Sequence, residues 1–191
     1  MTERTIIFVG PQGSGKGTQA ELLEKKLGEP VVRFEAGKSL RALAAEESYT
    51  GHLVRAAIER GELLPVFLST RAFSESLVRD MREGVHLLLD GFPRTADQLP
   101  IFDSALRFYK REKPRVLHFN ISDEEAIKRL ALRNRTDDSA EGIKRRLAWT
   151  RKAGGEVLSW FKADPYYEFF EINGERSVED IHAEICAKLG L

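Results

Sequence analysis

The sequence predicts an α/β fold in three layers, with a mostly parallel five-stranded sheet between two sheets of helices. Three observations lead there. Short, β-branched apolar runs alternate with longer stretches of helical apolar spacing, the signature of repeated strand–helix–strand units. The first run opens directly into a glycine-rich turn and a strong helix. No repeat, low-complexity tract or linker divides the 191 residues, so the chain reads as a single domain, 1–191.

The strands expected in order are Thr5–Val9, Val31–Phe34, His86–Asp90, Val116–Ile121 and Glu168–Ile172. Apolar residues at helical spacing mark Lys16–Leu27, Val66–Met81, Ala96–Tyr109, Asp123–Leu132, Ala140–Phe161 and Val178–Leu189. Ser122 and Ser177 precede acidic first turns and read as N-caps. Two stretches look inserted: Glu35–Leu64, a pair of short helices, and the polar segment Asn134–Ser139. Ligands of an open α/β sheet lie at the carboxyl ends of its strands, and both segments would overhang that edge.

Lys plus Arg and Asp plus Glu both number 30, so no net field favours nucleic acid or an anionic membrane. An anion site has to come from local clustering. The lone Cys186, set among apolar residues, reads as a buried thiol and excludes a disulfide framework. Residues 1–9 carry no leader-like apolar region and no run has membrane length, so a cytoplasmic protein is expected. His52, His86, His118 and His182 show no metal-ligand spacing.

The chemistry begins at Gly10-Pro11-Gln12-Gly13-Ser14-Gly15-Lys16-Gly17-Thr18. Between a strand and a helix, such glycines let backbone N–H groups converge on phosphate, the helix dipole adds to them, and Lys16 supplies a mobile charge. This is a P-loop, although the strict pattern places Ser or Thr directly after the lysine and Gly17 intervenes here.

Together with Asp90-Gly91-Phe92-Pro93-Arg94 and Gln98, this loop closely resembles the adenylate kinase family, and the resemblance covers nearly the whole chain. It implies reversible phosphoryl transfer from ATP to AMP, giving two ADP. Gly13, Ser14, Gly15, Lys16, Gly17 and Thr18 would hold ATP phosphates, and Arg176 would mark the loop at its adenine. Arg94 would hold the AMP phosphate and Gln98 its base, within the stretch Gly91, Phe92, Pro93. Gly37-Lys38-Ser39-Leu40-Arg41 resembles the start of the family's helical monophosphate-binding insertion (about 35–64), with Ala36 and Arg41 at the acceptor. Glu62, Leu63 and Leu64 at its end would line the base through backbone groups, while Leu63 and Leu64 suit ordinary packing equally well.

Arg133, Arg135 and Arg146 resemble the short-lid form (lid about 133–139). Arg133 would face ATP, and Arg135 and Arg146 the transferring phosphoryl group and acceptor phosphate. Lys144 and Arg145 read as solvated. The resemblance further implies Mg²⁺ carried with ATP, its water shell oriented by Asp90, no zinc, and a monomer whose partners are ATP and AMP rather than nucleic acid or membrane. Ala36 stands where the family usually has threonine, and Lys38 where it has aspartate. Gly154-Gly155-Glu156 and Trp160-Phe161 depart in what reads as packing. Two other readings are a kinase of CMP or UMP, whose members usually carry asparagines at the Thr95 and Gln98 positions, and a non-catalytic adenine-nucleotide sensor.

Overall fold

A computed structural model describes residues 3–28, 30–133 and 139–191. Its strands are β1 (Thr5–Val9), β2 (Val31–Glu35), β3 (His86–Asp90), β4 (Arg115–Asn120) and β5 (Glu168–Asn173). The helices are α1 (Lys16–Leu27), α2 (Ala36–Ala44), α3 (Tyr49–Glu59), α4 (Val66–Asp80), α5 (Leu99–Phe108), α6 (Asp123–Arg133), α7 (Ala140–Ala163) and α8 (Val178–Leu189). The sheet runs β2-β3-β1-β4-β5 with every pairing parallel.

Strand alternation decides the layers, because successive side chains leave a strand on opposite faces. Ile6, Phe8, Leu88, Leu117, Phe119 and Ile172 pack on one face against Leu23 of α1 and Ile181 and Ile185 of α8. Ile7, Val32, Phe34, Leu87, Leu89 and Val116 pack on the other against Phe73 of α4, Phe102 of α5 and Phe161 of α7. Each fully buried large apolar side chain contributes about 1.5–3 kcal/mol, so a one-residue slip of any central strand would forfeit several of them at once.

The expected insertion is the α2–α3 pair. Ser48 caps α3 by accepting from Gly51 N at 3.0 Å, and Ala44, Val54, Leu64 and Leu68 form a small core of their own. Of the expected lid, Arg133 closes α6 and Ser139 caps α7, accepting from Gly142 N at 3.1 Å; residues 134–138 lie outside the described ones.

Several boundaries differ from expectation. Ala96–Tyr109 is not one helix but a 3₁₀ turn, Ala96–Gln98, followed by α5. Pro100 lacks the N–H that would reach Ala96 in an α ladder, so the first turn winds tighter. Cys186 is half-buried rather than buried, 3.5 Å from His182 Nε2. Helix α7 runs unbroken through Gly154 and Gly155, where an added Cβ meets nothing within 4 Å. Mid-helix glycine costs about 1 kcal/mol relative to alanine. Gly155→Ala should therefore stabilise the protein by roughly 0.5–1 kcal/mol, read as a raised denaturation midpoint; an unchanged or lowered midpoint would show that the helix is locally distorted there.

Candidate active site

The sheet order places β1 between β3 and β4, and the chain leaves β1 for β2 on one side before crossing to β4 on the other. A crevice opens at such a switch point, above the carboxyl ends of the strands. Here it is a cleft of about 690 Å³.

Its floor is the P-loop. Gly13 has φ +83°, and a Cβ there would lie 2.9 Å from Ala126 O, so only glycine fits between the turn and α6. Lys16 opens α1 and turns its ammonium back across the loop, donating to Gly10 O at 2.8 Å, Pro11 O at 2.6 Å and Ser14 Oγ at 3.2 Å. Ser14 in turn donates to Pro11 O at 2.8 Å. Burial, with Arg94 and Arg133 nearby, pushes the Lys16 ammonium down to about 8, against the opposing pull of Asp90.

The wall across from the loop is set by β2 and β3, whose last residues, Glu35 and Asp90, lie in register. Beyond Asp90 the chain turns at Gly91 and plunges Phe92 into the core. Its ring lies 4.4 Å from Phe73 in a stacked pair and 6.3 Å from Phe34 edge-on. That anchor fixes Arg94, whose Nε donates to Gly91 O at 2.7 Å. Burial lowers the Arg94 guanidinium from its ordinary value; Asp90 opposes the shift, and Arg41 and Arg146 add to it. Gln98, almost fully buried, accepts from Arg94 N at 2.6 Å and donates to Ser69 Oγ at 2.9 Å.

Most residues singled out from the sequence line this one cleft. On the P-loop side are Gly13, Gly15, Lys16, Gly17 and Thr18, with Arg133 and Arg176; on the insertion side Ala36, Arg41, Glu62, Leu63 and Leu64; between them Asp90, Gly91, Arg94, Gln98 and Arg146. Three do not line it. Ser14 is buried with its hydroxyl turned into the loop, and Phe92 and Pro93 are buried as the anchor beneath Arg94. Arg135 lies outside the described residues. Two of the lining side chains are held in ion pairs: Glu62 forms a two-bond pair with Arg60, and Arg176 pairs with Glu184. Arg145 is largely exposed, as expected of a solvated residue.

Sequence reasoning missed Gln12, Glu35, Ser69, Arg129 and Trp149, all on the cleft wall. Arg129 and Trp149 could have been found from helical spacing, being four residues before Arg133 and three after Arg146. Glu35 could not, because its position depends on Arg33, which binds Glu35 at 2.9 Å, Glu24 at 3.1 Å and the Gly17 carbonyl at 3.4 Å.

The lowered Lys16 value has a measurable consequence. A phosphate anion stabilises the ammonium, so above pH 8 the free protein must take up a proton on binding ATP, whereas near pH 7 it already carries one. Titration calorimetry in two buffers of different ionisation enthalpy should give close to one proton taken up at pH 9 and close to none at pH 7, with affinity falling up to about tenfold per pH unit above 8. Equal uptake at both values would contradict the buried ammonium.

Known proteins resemble the chain at the level of this whole arrangement. Residues 8–165 match the family model for adenylate kinase. An adenylate kinase of Corynebacterium diphtheriae is 32% identical over 185 residues, covering 97% of this chain and 98% of that protein. One from Rhodopirellula baltica is 36% identical over 186 residues, covering 95% and 92%, and adenylate kinase 1 of a Nostoc species is 32% identical, covering 97% and 98%. A likeness that runs through P-loop, insertion and arginine-bearing helices alike makes the chain a member of the adenylate kinase family.

Proposed function

We propose that the cleft binds ATP along the P-loop and AMP beneath the insertion, and that it transfers the terminal phosphoryl group between them reversibly. The observation that carries this reading is the convergence of Lys16, Arg41, Arg94, Arg133 and Arg146, from five separate elements, on one cleft. Transfer to a phosphate needs no general base, because the acceptor oxygen is already anionic. It attacks the γ phosphorus, the bond from that phosphorus to the β–γ bridging oxygen breaks, and the electron pair leaves on ADP. The protein's work is in-line placement and positive charge around the moving group.

In this reading Lys16 and the loop N–H groups hold the β and γ oxygens, Arg133 the donor side, Arg41 and Arg94 the acceptor phosphate, and Arg146 the space between. Arg135 is assigned there too by the motif. Gln98 suits adenine because each of its amide atoms has capacity left after its bonds to Arg94 N and Ser69 Oγ: a second lone pair on oxygen and a second N–H. Together they match the donor and acceptor on adenine's Watson–Crick edge.

Magnesium fits the donor set as a phosphate-carried ion. Among the described residues no three His, Cys, Asp or Glu gather, while the Asp90 carboxylate faces the P-loop, where it can order the ion's waters. The bound ion would draw charge from the β and γ oxygens. The protein is further read as a cytoplasmic monomer; among the described residues no helix is long and apolar enough to cross a membrane.

A coupled assay of ATP against AMP, CMP, UMP and GMP tests the acceptor. AMP should be strongly preferred, and Gln98→Ala should cut that preference over CMP and UMP by roughly tenfold to a hundredfold, the usual cost of an unpaired polar edge. A wild type that prefers CMP or UMP would overturn the AMP reading. Lys38, exposed at the cleft mouth on α2, tests the metal. Lys38→Asp should lower the Mg²⁺ concentration for half-maximal rate by at least about threefold, since a cation near a dication repels it even through water. Superimposable titrations at fixed total ATP would show that Lys38 leaves the metal untouched.

A further inference from the structure

Trp149 stands where the insertion meets α7. Gly61, just past α3, has φ +69°, and a Cβ there would sit 2.6 Å from Gly142 O and 2.7 Å from Gly142 Cα. The two backbones therefore touch, at the first turn of α7. Two side chains of α7 secure the contact: the Trp149 indole N–H donates to Gly61 O at 3.1 Å, and Arg145 Nη1 donates to Arg60 O at 3.2 Å. The same indole ring faces Arg94, whose Cζ lies 5.5 Å from the ring centroid.

The geometry assigns Trp149 as a positioning residue of the acceptor side, which sets the spacing between the base wall and the phosphate arginine. Its N–H fixes the carbonyl that immediately precedes Glu62–Leu64, and its ring holds one face of the Arg94 guanidinium. With Nε bonded to Gly91 O, a face held by a ring leaves the Nη edges for an anion. Gly61 and Arg94 are 33 positions apart in sequence, and one rigid, two-torsion side chain spans the gap between them. This rests on the acceptor reading of the preceding subsection.

The test uses Trp149→Ala, which removes ring and donor, and Trp149→Phe, which keeps a ring and removes the donor. Loss of the ring under a cation and of a partly buried hydrogen bond should raise the KM for AMP about tenfold or more in Trp149→Ala and about threefold in Trp149→Phe, with the KM for ATP moving less than about twofold in either. The sequence has two tryptophans, so in Trp160→Phe the emission comes from Trp149 alone, and AMP without ATP should change it. A merely structural role predicts the opposite pattern: a lower melting temperature with both KM values moving together. That outcome, an AMP KM within twofold of wild type in both variants, or emission indifferent to AMP overturns the proposal. Should Trp149→Ala fail to fold, Trp149→Phe decides alone. Arg94→Lys in the same assay separates the two levels: an AMP KM that Arg94→Lys leaves unmoved overturns the acceptor reading and the proposal together. One that moves with Arg94→Lys but not with Trp149 overturns the proposal alone.

Discussion

Cations gathered into one cleft lose hydration and repel one another, and this cost is the constraint on which the rest of the structure depends. Two unit charges about 8 Å apart repel by roughly 2 kcal/mol at an effective dielectric near 20. The values of Lys16 and Arg94 are lowered first by burial, with the neighbouring cations adding a smaller push and Asp90 pulling the other way. Only a stiff frame keeps such groups from swinging into solvent. The frame is built of parallel strands buried on both faces, the aromatic anchor around Phe92, and loop oxygens that hold the Lys16 ammonium. Phosphate relieves the strain it leaves, so the energy stored in folding becomes selectivity for polyanions.

The frame also explains the division between what was readable in the sequence and what was not. Strands and the P-loop were readable because each rests on local pattern: short continuous apolar runs such as Leu87–Leu89, and a glycine-rich turn between strand and helix. The motif residues Arg41, Arg94, Gln98 and Arg146 reached the cleft as expected, since a motif fixes backbone geometry as well as residue type. Phe92 shows the limit of motif reasoning. It shares the stretch with Arg94 but is buried in the core, because a bulky ring gains more from the pocket of Phe34, Phe73 and Phe102 than from a wet cleft. Trp149 was readable as a cleft residue from its spacing to Arg146, but its contacts were not, because they depend on Gly61 and Arg94, far away in sequence. Glu35 owes its place to Arg33, two residues before it, which also reaches Glu24 and the Gly17 carbonyl.

Two departures from the family's usual pattern, Ala36 and Lys38, lie on the insertion side of the cleft. Ala36 is buried at the start of α2 and Lys38 is exposed two residues on, so this side of the cleft carries a cation where the resemblance leads one to expect an aspartate. Arg33 holds Glu35 and touches the Gly17 carbonyl, which ties the insertion's entry to the helix that carries the P-loop. The insertion's exit is tied to α7 through Gly61. Both ends of the insertion are thereby tied to elements that carry cleft-lining cations, Lys16 on α1 and Arg146 on α7.

Whether the cations serve two nucleotides meeting end to end in one cleft is the central claim. A ligand with two adenosines joined through a polyphosphate of matching length tests it most directly. It should bind one molecule per chain, compete with ATP and with AMP alike, and bind far more tightly than either, because the second half docks at high effective concentration. Two molecules bound per chain, or competition with ATP while AMP inhibition stays noncompetitive, would mean that the arginines beneath the insertion do not form an acceptor site contiguous with the P-loop.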